Sequence, residues 1–266
     1  MDLITPQQAL SLYGREDPFA SPAALRTSNY SASIDGTLVR LLDWRQPTRQ
    51  ARLADRSLRS FLLSSAFSCV AGKAAIESGG YRFASYRGLG DPIGTPGLAR
   101  DLAAFVAERR SMVQKYATFV AVFDEADGGS ERWFEAGLWK VLQGLADLGA
   151  PHYSWDSSVS SDPRTPDFGF SFAGEAFFVV GMHPNSSRLS RRFSLPALAF
   201  NSHKQFGNAR QTGRFGLLQR IIRDRELQLQ GSINPELREF GQRSEARQYS
   251  GRQSEEDWRC PFRTSS

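Results

Sequence analysis

Phe168-Gly-Phe-Ser-Phe-Ala173-Gly174-Glu-Ala-Phe-Phe-Val-Val-Gly-Met182-His183 is the stretch that decides the fold. Phe168, Phe170 and Phe172 alternate, which is the period of a strand with one buried face. Ala173-Gly174 supplies a two-residue turn, and Ala176 to Met182 returns as an apolar strand, so the stretch reads as a β-hairpin. Working outward, Ala197 to Phe200 reads as a short strand. Ala117 to Phe123 reads as a buried one, ended by Asp124 and the turn Asp127-Gly128-Gly129. Helical spacing of apolar residues predicts helices over Leu98–Tyr116, from an N-cap at Ser130 to Gly149, and over Phe215–Gln230. In the last of these Leu218, Ile221, Ile222 and Leu229 take the buried side. Ser57–Ser68 reads as a short helix, Gly79–Gly97 as a loop, and Gly231–Ser266 as a polar irregular tail. The order implies an α+β fold, a mostly antiparallel sheet covered by helices in a single domain. Residues 1–57 read as an irregular segment packed on the core, 58–262 as the domain, and 263–266 as a tail.

The chain has 266 residues, 40% hydrophobic and 23% charged, which is ordinary for a globular protein and long enough for one large domain. No apolar run approaches a membrane span of about 18 residues, and no secretory signal is read at Met1. Two cysteines, Cys69 and Cys260, fit a reducing cytoplasm rather than a disulfide scaffold. His152, His183 and His203 lie far apart, and no CxxC pair is present, which argues against zinc. Of the 33 basic residues 29 are Arg, giving a net charge of +5. Acidic residues are interspersed, so the balance reads mainly as a solvated surface, with a share of Arg pairing carboxylates or phosphates. A nucleic-acid interface needs a clustered basic stripe, which is missing.

Gly88-Leu-Gly90 with Gly94 has the wrong spacing for a dinucleotide loop, and Pro92 interrupts it. There is no P-loop, no Gly-x-Ser-x-Gly elbow and no Glu-x-x-His pair. Two stretches are more particular. In Phe177 to Arg192 a buried strand delivers His183 at its mouth, followed by Arg188, Arg191 and Arg192. That can seat a metal or cofactor; it also reads as a strand-end histidine bonded to backbone beside a solvated basic loop. The other runs from Gln230 to Pro235 and from Ser244 to Gly251, which equally reads as a hydrogen-bonded tail.

These stretches carry a resemblance. Phe67-Ser-Cys69-Val-Ala-Gly-Lys73, Tyr153-Ser-Trp155-Asp156, Phe177 to Arg192, Phe200-Asn201 to Phe206, Gln230 to Pro235, Ser244 to Arg252 and Asp257 to Phe262 occur in an order that resembles the YqcI/YcgG-like family of heme-dependent N-hydroxylases. The likeness is nearest to its guanidine/arginine N-hydroxylase branch. Ser68 departs from the proline often found there before the cysteine. The resemblance implies heme b, dioxygen or peroxide as oxidant, and transfer of one oxygen to a nitrogen of arginine or an arginine-derived guanidine. An amino-acid amine such as that of lysine, or a heme-binding protein without catalysis, are the alternatives.

Heme iron takes His, Cys, Met or Tyr. His183 ranks first as ligand, His203 second, Cys69 third and His152 last. Arg188, Arg191 and Arg247 are candidates for the propionates. Trp155 and Asp156 offer a flat face and a carboxylate to a guanidinium, with Asp162 and Asp167 as substitutes. No flavin or nicotinamide domain is read, so electrons are expected from an external reductase or ferredoxin. The expected partners include neither nucleic acid nor a membrane, and the assembly is open between monomer and homodimer.

Overall fold

A computed structural model describes residues 17–125, 129–205, 207, 214–236 and 242–264. Its sheet has seven strands: β1 (Ser31–Ile34), β2 (Thr37–Arg40), β3 (Tyr81–Tyr86), β4 (Thr118–Phe123), β5 (Phe170–Phe172), β6 (Glu175–Met182) and β7 (Ala197–Ser202). Their spatial order is β2-β1-β3-β4-β7-β6-β5. The quoted stretch forms the expected hairpin, with Phe170 opposite Phe177 and Phe172 opposite Glu175. Ala173 and Gly174 both lie at positive φ, 52° and 73°, the turn whose twist matches the strands it joins. Only β3 and β4 run parallel, and a parallel pair needs a crossover. That crossover contains α4 (Thr95–Arg109).

The other helices are α1 (Pro22–Thr27), α2 (Arg49–Leu63), α3 (Val70–Glu77), α5 (Glu131–Gly149), α6 (Arg214–Gln230) and α7 (Ala246–Tyr249). Alternation sorts the strand residues into two cores. Phe119, Ala121, Phe177, Val179 and Phe200 pack with α4 and α5. Val120, Val122, Met182 and Ala199 pack with α2. Ser130 caps α5 as expected, accepting from the amide of Trp133. Gly97 lets α4 approach α1: a Cβ there would stand 2.4 Å from the carbonyl carbon of Thr27.

Four expectations need correction. Residues 17–57 are not irregular. They hold α1, the β1–β2 hairpin and most of α2, so a boundary at 57 cuts a helix; residues 1–16 lie outside the described residues. The hairpin turns on Asp35-Gly36, both at positive φ, and the helix expected over Ser57–Ser68 is α2, which runs from Arg49 to Leu63 with Thr48 as its N-cap. Gly79–Gly97 is not one loop, because Tyr81–Tyr86 forms β3 beside β4. The helix expected over Leu98–Tyr116 begins at Thr95, with Pro96 in its first turn, and ends at Arg109. The tail is not merely irregular: α7 lies buried on the sheet, with Tyr249 fully enclosed. The expected turn at Asp127-Gly128-Gly129 falls largely outside the described residues. Among the described residues, no helix is long and apolar enough to cross a membrane.

Candidate active site

On the α2 face of the sheet a cavity of about 170 Å³ opens between β4, β6 and β7 and the helices α3 and α6. The pleat of the strands sends Val120, Phe178, Val180, Met182 and Ala199 into it, so its floor is apolar. Phe67 and Cys69 enter from the turn that opens α3. Arg188 and Arg191 enter from the 3-10 turn Leu189–Arg191 and its first flank. Asn201, Asn234 and Glu226 complete the polar edge.

The charges are arranged, not scattered. Glu226 is buried on α6, and its carboxylate takes the Arg188 guanidinium at 2.6 Å and the Ser68 hydroxyl at 2.6 Å. Burial pulls its pKa up, but Ser190, Ser68 and Arg188 outweigh that and hold it below the ordinary value. Arg188 also donates to Ser232, yet its buried Nε meets no hydrogen-bond partner among the described residues. Among the described residues Arg191 donates its side chain to the carbonyls of Gly181 and Tyr249, at 3.3 and 3.1 Å. Its hydrogen bonds thus go to neutral carbonyls, and the charge of Glu226 reaches it through space. Burial pushes its pKa down to about 10, so the cation persists at neutral pH. Cys69 is the counterpart. Burial raises its thiol pKa, while the amides of Gly72 and Ala71 and the charges of Arg191 and Arg225 pull toward thiolate. Arg188 and Arg191 share the one cavity acid, Glu226, and the charge of Arg191 lies beside the Cys69 thiol.

Three of the eight expected site residues therefore meet here: Cys69, Arg188 and Arg191. His183 does not. It follows Met182 by one residue and so points to the other face. There it is fully buried against Phe134, ring centroids 4.4 Å apart, with no hydrogen-bond partner for either ring nitrogen among the described residues. His203 is engaged through Nε2 by Glu245 at 3.0 Å. Arg247 is held by the carbonyls of Glu255, Glu256 and Trp258, away from Arg188 and Arg191. Trp155 packs on Phe168, Phe170 and Phe262 in the opposite core. Asp156 accepts from the amides of Ser158 and Ala176; burial raises its pKa, but those bonds leave it lowered overall. Trp155 and Asp156 thus brace the hairpin rather than line the cavity. The glycine loop after β3 has its amides occupied too: Leu89 donates to Glu125 and Ile93 to Asp91, each at 2.9 Å. That agrees with a plain loop.

The site residues missed from sequence are Glu226, Met182, Asn201 and Asn234. Glu226 had a signal: it stands four residues after Ile222 on the half-buried stripe of α6, where an acid needs a partner.

A family model for the YqcI/YcgG family matches residues 58–263. The chain belongs to the YqcI/YcgG family. It is 29% identical to the uncharacterized protein YcgG of Bacillus subtilis (strain 168) over 209 residues, 74% of this chain and 80% of that protein. It is 28% identical to the uncharacterized protein YqcI of the same organism over the same shares. No solved structure matches it. Stretches of the YqcI/YcgG region that are far apart in sequence, around Cys69, Phe178, Arg188, Asn201 and Asn234, converge on this one cavity.

The donor set suits a porphyrin. Its iron brings four nitrogens and needs one protein ligand, and Cys69 and Met182 are both of the right class. Among the described residues no three His, Cys, Asp or Glu cluster as a self-sufficient metal site. The volume does not suit a porphyrin, since 170 Å³ falls below the roughly 300–1,000 Å³ of ordinary ligand pockets. Among the described side chains of α6, Leu217 and Leu227 are exposed and Glu226 is buried.

His183 yields a test of its own. Burial pushes its pKa from 6.5 to about 4. The fold therefore favours neutral imidazole. That contribution is full above pH 6.5 and is lost as pH falls toward 4, at most of order 2–3 kcal/mol. Replacing His183→Leu is expected to flatten acid unfolding, measured by urea titration between pH 4 and 7, and to leave hemin uptake intact. Loss of hemin uptake would restore His183 as the ligand.

Proposed function

We propose that this chain binds heme b between the sheet and α6 and hydroxylates a nitrogen of a small guanidine, arginine or an arginine-derived compound, with dioxygen or peroxide as oxidant. The observation that carries this reading is the joint presence of Cys69, Arg188 and Arg191 around one apolar cavity of a YqcI/YcgG family member. When bound, the heme supplies activated oxygen for insertion into an N–H bond. The chain supplies the rest. Cys69 offers sulfur to the iron, and the charge of Arg191 balances the thiolate or a propionate. Arg188 offers its free Nε–H to a carboxylate. Phe67, Phe178 and Val180 keep water out. Glu226, not Asp156, is the carboxylate lining the cavity, and it would hold a substrate guanidinium from the α6 side. Electrons come from an external donor, a reductase or ferredoxin, in the cytoplasm, where Cys69 and Cys260 stay free.

Hydrogen exchange and product analysis test this together. Hemin is expected to slow amide exchange in α3 and in residues 222–230. Arginine with oxygen and a reductant is then expected to gain one oxygen atom by mass. Heme uptake with no oxidised guanidine or amine product would reduce the protein to a heme carrier. Uptake that protects only the opposite face would move the site.

A further inference from the structure

A second opening lies on the same face of the sheet, toward the other end of β4. It is a groove of about 840 Å³, bordered by Ser85 and Tyr86 at the end of β3 and by Val122 and Asp124 at the end of β4. These two strands are the parallel pair. The carboxyl ends of parallel strands are where open α/β sheets leave a crevice for ligands. The volume falls within the roughly 300–1,000 Å³ of small-molecule sites. The groove is separate from the cavity around Cys69. Val122 lines the groove and Val120 the cavity, about 7 Å apart along one strand. On α2, Leu53, Ala54 and Ser57 line the groove, and Leu62 lines the cavity.

The charged side chains of this groove are free. Arg26, in the last turn of α1, and Arg87, which follows β3, are both exposed and both line it, as does Asp124. Among the described residues no ion pair or side-chain hydrogen bond engages any of the three. This sets them apart from Arg40 and Arg45, which hold Asp43, and from Arg100, which holds Asp17. The walls also carry large aliphatic side chains left to solvent. Leu53 of α2 is 48% exposed and Ile93, just before α4, is 58% exposed. Arg49, Arg52 and Arg56 are exposed on α2 and add to the positive potential of this face.

We propose that this groove binds a nucleoside monophosphate. A phosphate monoester carries nearly two negative charges and three acceptor oxygens, which suits a pair of planar guanidiniums better than a carboxylate does. Leu53 and Ile93 offer apolar surface to a flat base, and Asp124 accepts from ribose hydroxyls. The glycine loop takes part through Arg87 and Ile93 and not through its amides, two of which are already bonded to Glu125 and Asp91. Recognition by guanidinium needs no dinucleotide-loop spacing. The groove suits one nucleotide rather than a strand, because its volume is that of a small-molecule site and Asp124 interrupts the positive lining that a phosphate backbone needs. The inference goes beyond the heme reading and does not depend on it.

Isothermal titration calorimetry of the full chain, purified without added hemin, tests this with AMP, GMP, CMP and UMP, each beside its nucleoside and inorganic phosphate. At least one monophosphate is expected to bind, with an affinity that falls as salt rises. Its nucleoside and inorganic phosphate should each bind about tenfold more weakly or worse. Arg26→Gln and Arg87→Gln should each weaken the monophosphate by about tenfold or more, the effect of losing a charge-assisted hydrogen bond. Both should leave the urea midpoint unchanged, since neither side chain is engaged in the fold. Inorganic phosphate binding as tightly as the monophosphate, unchanged affinity in either variant, or no binding of any of the four overturns the proposal. A single-stranded oligonucleotide that binds where the monophosphates do not overturns it too.

Discussion

Replacing Cys69→Ala is expected to leave a folded protein whose hemin affinity drops about a hundredfold or more, roughly 3 kcal/mol. The loss should exceed that of any other single change in the cavity. The physical reason is the charge balance. Cys69 sits where the amides of Ala71 and Gly72 and the Arg191 cation favour thiolate, against the burial that disfavours it. A bound iron would take the sulfur as thiolate, and the negative charge would lie beside Arg191, whose hydrogen bonds go to neutral carbonyls. Without the sulfur, the porphyrin would lose its thiolate ligand, and Arg191 would keep only the more distant charge of Glu226. The truncation itself is small, so stability should change by about 1 kcal/mol. Urea denaturation and hemin titration of the same sample separate the two effects. Equal hemin affinity in Cys69→Ala would remove Cys69 from the site, and Met182 would be the next donor to test.

The second large effect concerns the anchor of α6. Arg188→Ala removes the guanidinium from a carboxylate that is 5% exposed. Breaking a buried pair from one side costs about 3–5 kcal/mol, because the remaining charge is stranded. Arg188→Ala should therefore lower the urea midpoint and loosen α6, seen as faster amide exchange over residues 222–230. The double replacement Arg188→Met with Glu226→Leu should recover most of the stability, since an apolar pair of similar volume can replace a buried ion pair. It should not recover hemin or guanidine affinity. That split separates a pair kept for function from one kept for folding. A loss below about 1 kcal/mol in Arg188→Ala would mean the pair is solvated and α6 is held by something else.

Much of this was legible in the sequence. The β5–β6 hairpin, β4 and α5 follow from periodicity and from turn and cap residues, because those signals are local. The β1–β2 hairpin was just as local, in Ile34-Asp35-Gly36-Thr37, but prolines on either side drew the reading toward an irregular segment. β3 was hidden between glycines at 79–80 and 88–90, and its place in the sheet depends on the non-local pairing with β4. The site was half legible. Arg188 and Arg191 were named from the arginine cluster at the strand mouth and Cys69 after the resemblance, but nothing in one sequence says that the turn before α3 and the turn after β6 face each other. The strand parity that separates His183 from Phe178, Val180 and Met182 was available. A histidine at a strand mouth followed by arginines outweighed it. Trp155 and Asp156 looked chemical because they are adjacent, whereas the ring packs in a core and the acid holds backbone amides. The arginine count likewise has a structural reason: Arg100, Arg188, Arg247 and Arg252 are buried and hold carboxylates or carbonyls across the fold.

The axial ligand and the location of the heme stand or fall on one spectrum. Purified protein titrated with hemin, reduced and exposed to carbon monoxide is predicted to bind one heme per chain and to show the strongly red-shifted Soret band of a thiolate-ligated ferrous carbonyl, absent in Cys69→Ala. An imidazole-type spectrum that survives in Cys69→Ala, or a titration with no specific uptake, would contradict the account.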